Sequence, residues 1–145
     1  DVKAMAQAAL KAGLTPIICI GESQQQREDG SAFEVVGRQV AESLPDLAAG
    51  DAITSDFVLA YEPVWAIGSG LVPTIGDIEA MHAHILSVAA AATGRDKAAI
   101  AVLYGGSVKG DNAGEILRVP GVSGVLVGGA SLKLDEFCRI ISAAV

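Results

Sequence analysis

Glu62 is the residue whose setting most invites chemistry. It follows the apolar run Phe57-Val58-Leu59-Ala60 within the stretch Tyr61-Glu62-Pro63-Val64-Trp65-Ala66-Ile67-Gly68-Ser69-Gly70. The run reads as a buried strand, so the carboxylate stands at a strand tip. A segment with stiff ends and a glycine-rich middle then leads to Thr74, where a helix begins. That arrangement suits a base beneath a lid. Burial under an apolar lid would raise the pKa of such a base toward neutrality and fit it to take a carbon-bound proton. A solvated or salt-bridged loop carboxylate would look the same, and the residue alone leaves both readings open.

A second set of residues suits an anion. Gly68, Ser107, Gly128 and Gly129 each lie in the loop after one of the last three strand-like runs. Glycines let backbone N–H groups approach an anion closely, and Ser107 adds a hydroxyl donor. A phosphate site after the last two strands recurs in parallel barrels. Other candidates read as structural. His82 and His84 lie two apart in mid-helix, face different sides, and read as exposed or partly buried helix residues. Glu22, after Ile20-Gly21, reads as structural, and Trp65 as a loop anchor. No Ser has a His and Asp at triad spacing. Cys19 and Cys138 form neither CxxC nor a metal-ligand pattern and read as reduced core residues. No metal or other cofactor is expected.

The elements that must position these residues alternate regularly. Val2, Met5, Ala6, Ala9 and Leu10 mark a first helix that Gly13 stops. Thr15–Ile20 is a short β-branched apolar run, read as a strand buried on both faces. After a polar loop over Gln24–Gly30, which leaves room for a helical turn, Ser31 and Glu34 suggest a capping box for a helix with a buried stripe of Phe33, Val36, Val40 and Leu44. A connection over Pro45–Ser55 leads to the strand Phe57–Tyr61. Thr74 caps a long helix whose buried positions are Ile78, Met81, Ile85, Val88 and Ala92, ended by Gly94. Ala99–Tyr104 is the third strand, Ala113–Leu117 a short helix, and Gly124–Val127 the fourth strand. Leu134, Phe137, Ile141 and Ala144 form the last helical stripe. A helix followed by four βα units, each strand an unbroken apolar run, implies a parallel sheet covered by helices. Either an open doubly wound sheet or a (β/α) barrel fits. No GxGxxG follows the first strand and no P-loop lysine is present, so the nucleotide-binding versions lack support.

Composition narrows the partners. The 145 residues carry a net charge of −7 without a basic cluster, which argues against nucleic acid. An acidic average leaves a small anionic ligand open, because backbone amides bind phosphate without net positive charge. No apolar run reaches membrane-spanning length. The chain opens inside an amphipathic helix pattern and shows no signal-peptide pattern, so a cytoplasmic setting is expected.

The stretch Tyr61–Gly70 closely resembles the catalytic loop of the triosephosphate isomerase family, usually written YEPVWAIGTG, with Ser69 in place of the Thr. Cys19-Ile20-Gly21-Glu22 resembles the strand-five signature. Tyr104-Gly105-Gly106-Ser107-Val108 matches strand seven and its loop, and Leu126-Val127-Gly128-Gly129-Ala130-Ser131-Leu132 matches strand eight and its loop. The matches run in family order over essentially the whole chain.

The resemblance implies residue roles. Glu62 would be the base that shuttles a proton between C1 and C2 of a triose phosphate. Pro63, Val64 and Trp65 would be the first hinge of the lid and Leu71-Val72-Pro73 the second. Gly68, Ser107, Gly128 and Gly129 would grip the phosphate, or an inorganic phosphate or sulfate in its place. This family is the standard example of a glutamate base working with a neutral histidine under a closing lid.

The family's barrel has eight βα units in about 250 residues. The resemblance therefore makes residues 1–145 a single domain, the C-terminal half of a (β/α)8 TIM barrel, with four parallel strands and covering helices. The family's N-terminal lysine and strand-four histidine have no counterpart in these residues. The expectation is that the chain alone is inactive, since losing one electrophilic group costs orders of magnitude. A half-barrel leaves two strand edges and one apolar sheet face bare, so a homodimer or a complex with an N-terminal half is expected. The alternative is a self-associating structural or phosphate-binding half-barrel without catalysis.

Overall fold

The computed structural model describes residues 1–46, 57–66 and 72–145. Gly68, Leu71 and most of the Pro45–Ser55 connection lie outside the described residues. Four strands, β1 (Ile17–Ile20), β2 (Val58–Tyr61), β3 (Ala101–Tyr104) and β4 (Gly124–Val125), form one sheet in the order β1-β2-β3-β4. All pairings are parallel. The helices are α1 (Val2–Lys11), α2 (Gln24–Glu28), α3 (Ala32–Ser43), α4 (Ile75–Thr93), α5 (Ala113–Ile116) and α6 (Leu134–Ala143). Short 3-10 turns cover Val64–Ala66, Lys97–Ala99 and Gly129–Leu132. This is half of a (β/α)8 barrel.

Side-chain alternation divides the sheet into two unlike faces. Ile18, Ile20, Leu59, Tyr61, Val102 and Tyr104 point to the helices and are buried. They pack with Val36 and Val40 of α3 and with Ile78, Met81 and Ile85 of α4 in one core. Each such side chain contributes about 1.5–3 kcal/mol by leaving water. The opposite face is open except at Ala60, which is fully buried. Ile17 is 50 % exposed, Cys19 is exposed, and Val58, Ala101 and Leu103 are only half-buried. The strands are therefore not buried on both faces as their unbroken apolar runs suggest.

The outer helices depart from expectation in the same way. Met5 of α1 is 64 % exposed and Leu134 of α6 is 78 % exposed, and Val2, Phe137 and Ile141 are exposed too. In α6 the buried residue is Ile140, outside the expected stripe. Phe137 and Ile141 instead border an open cavity with Gly124, Val125 and Val127 beside β4. Both cysteines are free, but neither is a core residue. Cys19 lies on the open sheet face and Cys138 on the exposed side of α6.

Local signals shift where side chains have other work. The capping box forms at Ser23 and Gln26, so the polar loop contains the helix α2. Ser31 precedes α3 without a cap bond, because its hydroxyl donates to the Gln26 carbonyl at 3.0 Å. Phe33 is exposed and packs edge-on to His84, while Ala32 and Val35 take its place in the core. Thr74 caps α4 in a capping box with Asp77, and Gly94 ends it in the left-handed conformation. Along α4, Ala89 and His82 are buried in place of Ala92 and Val88.

Candidate active site

Strand register builds the rim. Tyr61 pairs with Tyr104, so the next residues, Glu62 and Gly105, stand side by side beyond the strand ends. Backbone bonds extend the ladder one step: Glu62 N donates to Ile20 O at 2.8 Å and Gly105 N to Tyr61 O at 2.8 Å. Glu62 is in phase with Ala60 and turns toward the open sheet face. Its side chain lies directly over Gly105, where a Cβ would meet Glu62 Cγ at 2.6 Å. Only glycine at 105 permits this position. The Cys19 thiol approaches the same carboxylate. Loss of part of its water shell, then the charge of Glu62 and a hydrogen bond to it, push that thiol pKa up.

Gly105 also begins the wall of a cavity of about 510 Å3. The cavity gathers Gly106, Ser107, Gly128, Gly129 and Lys133 at the C-terminal ends of β3 and β4. Three of the four residues singled out for anion contact thus share one cavity. Glu62 is not in its lining but abuts it through Gly105. Gly68 lies outside the described residues. Ser107 Oγ donates to Ala66 O at 3.3 Å, which ties this wall to the turn that follows Glu62. Asn112 shapes the same loop, donating from Nδ2 to Ser107 O at 3.0 Å and accepting from Lys109 N at 2.8 Å.

The other glutamate has a different setting. Glu22 is fully buried. Its Oε1 accepts from Trp65 Nε1 at 2.8 Å, Tyr61 Oη at 3.1 Å and Arg27 Nη1 at 3.3 Å. Arg27 stacks over the Trp65 ring at 4.5 Å and pairs with Asp77 at 2.5 Å. The node joins the tip of β1, α2, the turn Val64–Ala66 and the first turn of α4, so it holds both flanks of the segment after Glu62. Burial alone would raise the Asp77 carboxyl, but hydrogen bonds from Thr74 and the Arg27 guanidinium hold it below the usual range. Burial, then the Glu22 charge, pushes the Tyr61 hydroxyl pKa far up. Gln39 of α3 clamps Gly21 from both sides, accepting from its N–H at 2.8 Å and donating to its carbonyl at 3.0 Å. Arg27, Asp77 and Gln39 were not legible as site residues, since their roles arise only when separate elements meet.

His82 is not the exposed or partly buried residue that its sequence suggests. It is fully buried, with Nδ1 3.1 Å from Gly121 O and its ring edge-on to Tyr61. Burial pushes its pKa down. His84 sits at the α3–α4 contact, with Nε2 2.8 Å from Phe33 O. Neither imidazole lines the cavity. Among the described residues no group of three or more His, Cys, Asp or Glu could hold a metal ion, and no helix is long and apolar enough to cross a membrane.

Four parallel βα units, with glutamate and glycine loops gathered at the C-terminal rim, define one half of a (β/α)8-barrel protein of the kind that places its site on that rim. The sequence comparisons fix the family. The family model described as Triosephosphate isomerase matches residues 1–144. A triosephosphate isomerase of Mesorhizobium japonicum is 54% identical over 142 residues, which cover 98% of this chain and 54% of the relative. One from Rhodopseudomonas palustris is 50% identical over 139 residues, covering 96% and 53%. The crystal structure of triosephosphate isomerase from Bartonella henselae superposes with a TM-score of 0.84 at 40% identity, over 98% of this chain and 55% of that one. The chain belongs to the triosephosphate isomerase family, and it spans about half the length of the relatives it matches.

Proposed function

We propose that residues 1–145 act as one domain that supplies the base and the phosphate grip of a cytoplasmic triosephosphate isomerase. The observation that carries this is the placement of Glu62 over Gly105, at the edge of the cavity that holds Ser107, Gly128 and Gly129. A triose phosphate with its phosphate in the cavity extends its carbon chain toward the Glu62 carboxylate. Glu62 removes a proton from C1 of dihydroxyacetone phosphate and returns it to C2, while a proton passes from the C1 hydroxyl to the C2 oxygen through the enediol, giving glyceraldehyde 3-phosphate. Backbone amides of Gly128 and Gly129 and the Ser107 hydroxyl hold the dianion; the family resemblance adds Gly68 to that grip and gives Pro63, Val64 and Trp65 the part of lid hinge. The substrate carbonyl also needs an electrophile. His82 is sealed in the core and His84 lies between helices, so the histidine of such a pair must come from a further segment, on this polypeptide or another, and the resemblance gives the N-terminal lysine the same origin.

That segment also answers the bare sheet face and the free edges of β1 and β4. Our reading is that an N-terminal half-barrel completes the sheet. The test is an isomerase assay of the 145-residue chain with and without an added N-terminal half. Turnover only on mixing supports the proposal, and turnover by the chain alone defeats the need for an outside electrophile. The exposed Ile17 and the half-buried Val58, Ala101 and Leu103 favour a second reading, a self-associating half-barrel without catalysis. It requires a homodimer in solution, phosphate binding and no turnover in either assay. A monomeric mass at micromolar concentration would remove it.

A further inference from the structure

The two walls of the cavity come from different loops. One is Gly105–Lys109, after β3. The other is Gly128–Lys133, leading into α6. The backbone ladder between them ends at the bond from Leu126 N to Tyr104 O, 2.9 Å. Beyond it the loops part, and a side chain rejoins them: Glu136 Oε2 of α6 accepts from Gly110 N at 3.0 Å. A second observation points the same way. A Cβ on Gly110 would stand 2.7 Å from Arg139 Cβ, an atom that cannot swing aside, so α6 and the β3–α5 loop meet at backbone distance.

Glu136 lines the cavity with Lys109, Asp111 and Lys133. A free carboxylate there would repel an anion. Here Oε2 is taken by the Gly110 amide, and Oε1 accepts from Arg139 Nη1 at 3.2 Å. Its charge is matched and its oxygens are engaged along the wall. We infer that Glu136 is a positioning residue of this site: its bond to the Gly110 amide sets the separation of the two cavity walls, and so the fit of a phosphate dianion. This rests on the phosphate reading of the cavity. The tie passes on to Ser107 through Asn112, which bonds both Lys109 N and Ser107 O.

The test is a titration of the 145-residue chain with inorganic phosphate, followed by amide NMR. Glu136→Ala loses the bond to the Gly110 amide, whereas Gly110→Ala keeps its N–H and pushes α6 off the loop through Arg139 Cβ; each should weaken phosphate binding about five- to tenfold, for Glu136→Ala the scale of one lost hydrogen bond, with far-UV circular dichroism unchanged. Glu136→Gln keeps an acceptor for Gly110 and should stay within about twofold of the parent chain. Unaltered binding in Glu136→Ala, or equal loss in Glu136→Gln, overturns the inference. If the parent chain binds no phosphate, the phosphate reading fails by itself. The tie is then decided by hydrogen exchange. Faster exchange in both loops of Glu136→Ala, reversed in Glu136→Gln, supports it, and unchanged exchange at Gly128 and Gly129 defeats it.

Discussion

Glu22 and Glu62 follow the ends of neighbouring strands at the same rim, yet one is sealed and the other half-open. The cause is parity. Ile20 pairs with Tyr61, so Gly21 stands level with Glu62 and Glu22 lies one residue beyond. Side chains alternate along a strand, and a shift of one residue changes the face. Glu22 stays in phase with Ile18 and Ile20, turns to the helices and finds Arg27, Tyr61 and Trp65. Glu62 stays in phase with Ala60, turns to the open face and rests on Gly105. A carboxylate held by three donors has a structural task. Glu62 lies over Gly105 beside the cavity with the Cys19 thiol against it, the setting proposed above for a base.

Substitution should separate the two. In a barrel completed with an N-terminal half, Glu62→Gln should lower turnover roughly 10²–10⁴-fold, while stability moves by less than about 0.5 kcal/mol. Steady-state kinetics beside urea denaturation reads both. Equal loss of stability would mean that Glu62 is another structural carboxylate. Glu22→Ala should do the reverse. It removes the buried acceptor shared by Arg27, Tyr61 and Trp65 and should cost about 3 kcal/mol of folding stability. A Glu22→Ala chain as stable as the parent would break the contrast.

The two buried tyrosines sharpen it at smaller scale. Tyr61 Oη donates to Glu22, whereas Tyr104 Oη is buried without a hydrogen-bond partner among the described residues. Burial pushes the Tyr104 pKa up to about 12. Tyr61→Phe should cost about 1 kcal/mol, and Tyr104→Phe should be near neutral or slightly stabilising. Thermal melts of the two variants should therefore separate. Coincident melts would show that the Tyr61–Glu22 bond adds nothing.

Much of this was legible because it is periodic or local. Four apolar runs, each ended by Gly, Ser or Glu, gave the parallel sheet and put the chemistry at one rim. Thr74 announced the start of α4. Glu22 read as structural, and the parity it shares with Ile18 and Ile20 turns it to the helices, where it is buried. His82 was also within reach: Ile78, His82, Ile85 and Ala89 follow the helical spacing of a buried row, and all four are buried. The rest depends on which elements meet. Ser23 and Ser31 both begin Ser-x-x-Glu/Gln patterns, and only the Gln26 carbonyl, by engaging Ser31, decides between them. The Glu136–Gly110 bond spans 26 residues with no local mark. The apolar runs told how buried the strands would be in a closed barrel, not how bare one face stands in four units.

His82 extends the contrast to acidity. Its ring is sealed between α4 and the sheet, Nε2 has no hydrogen-bond partner among the described residues, and burial lowers its pKa below the ordinary value of 6.5. The bond to Gly121 O opposes that shift without cancelling it. An unfolded chain takes up the proton as pH falls through about 6.5, while the folded chain takes it up only at lower pH. Between those points the unfolded state holds more protons, so stability must fall as pH falls. The slope is at most about 1.4 kcal/mol per pH unit, and it ends once the folded pKa is passed. Urea midpoints measured from pH 7.5 to 5 should decline below about 6.5. His82→Phe should flatten that decline, because the sealed ring no longer titrates in the unfolded chain. If the variant keeps the parent slope, the acid sensitivity belongs to other groups, and the sealed side of the sheet is no more pH-sensitive than the open one.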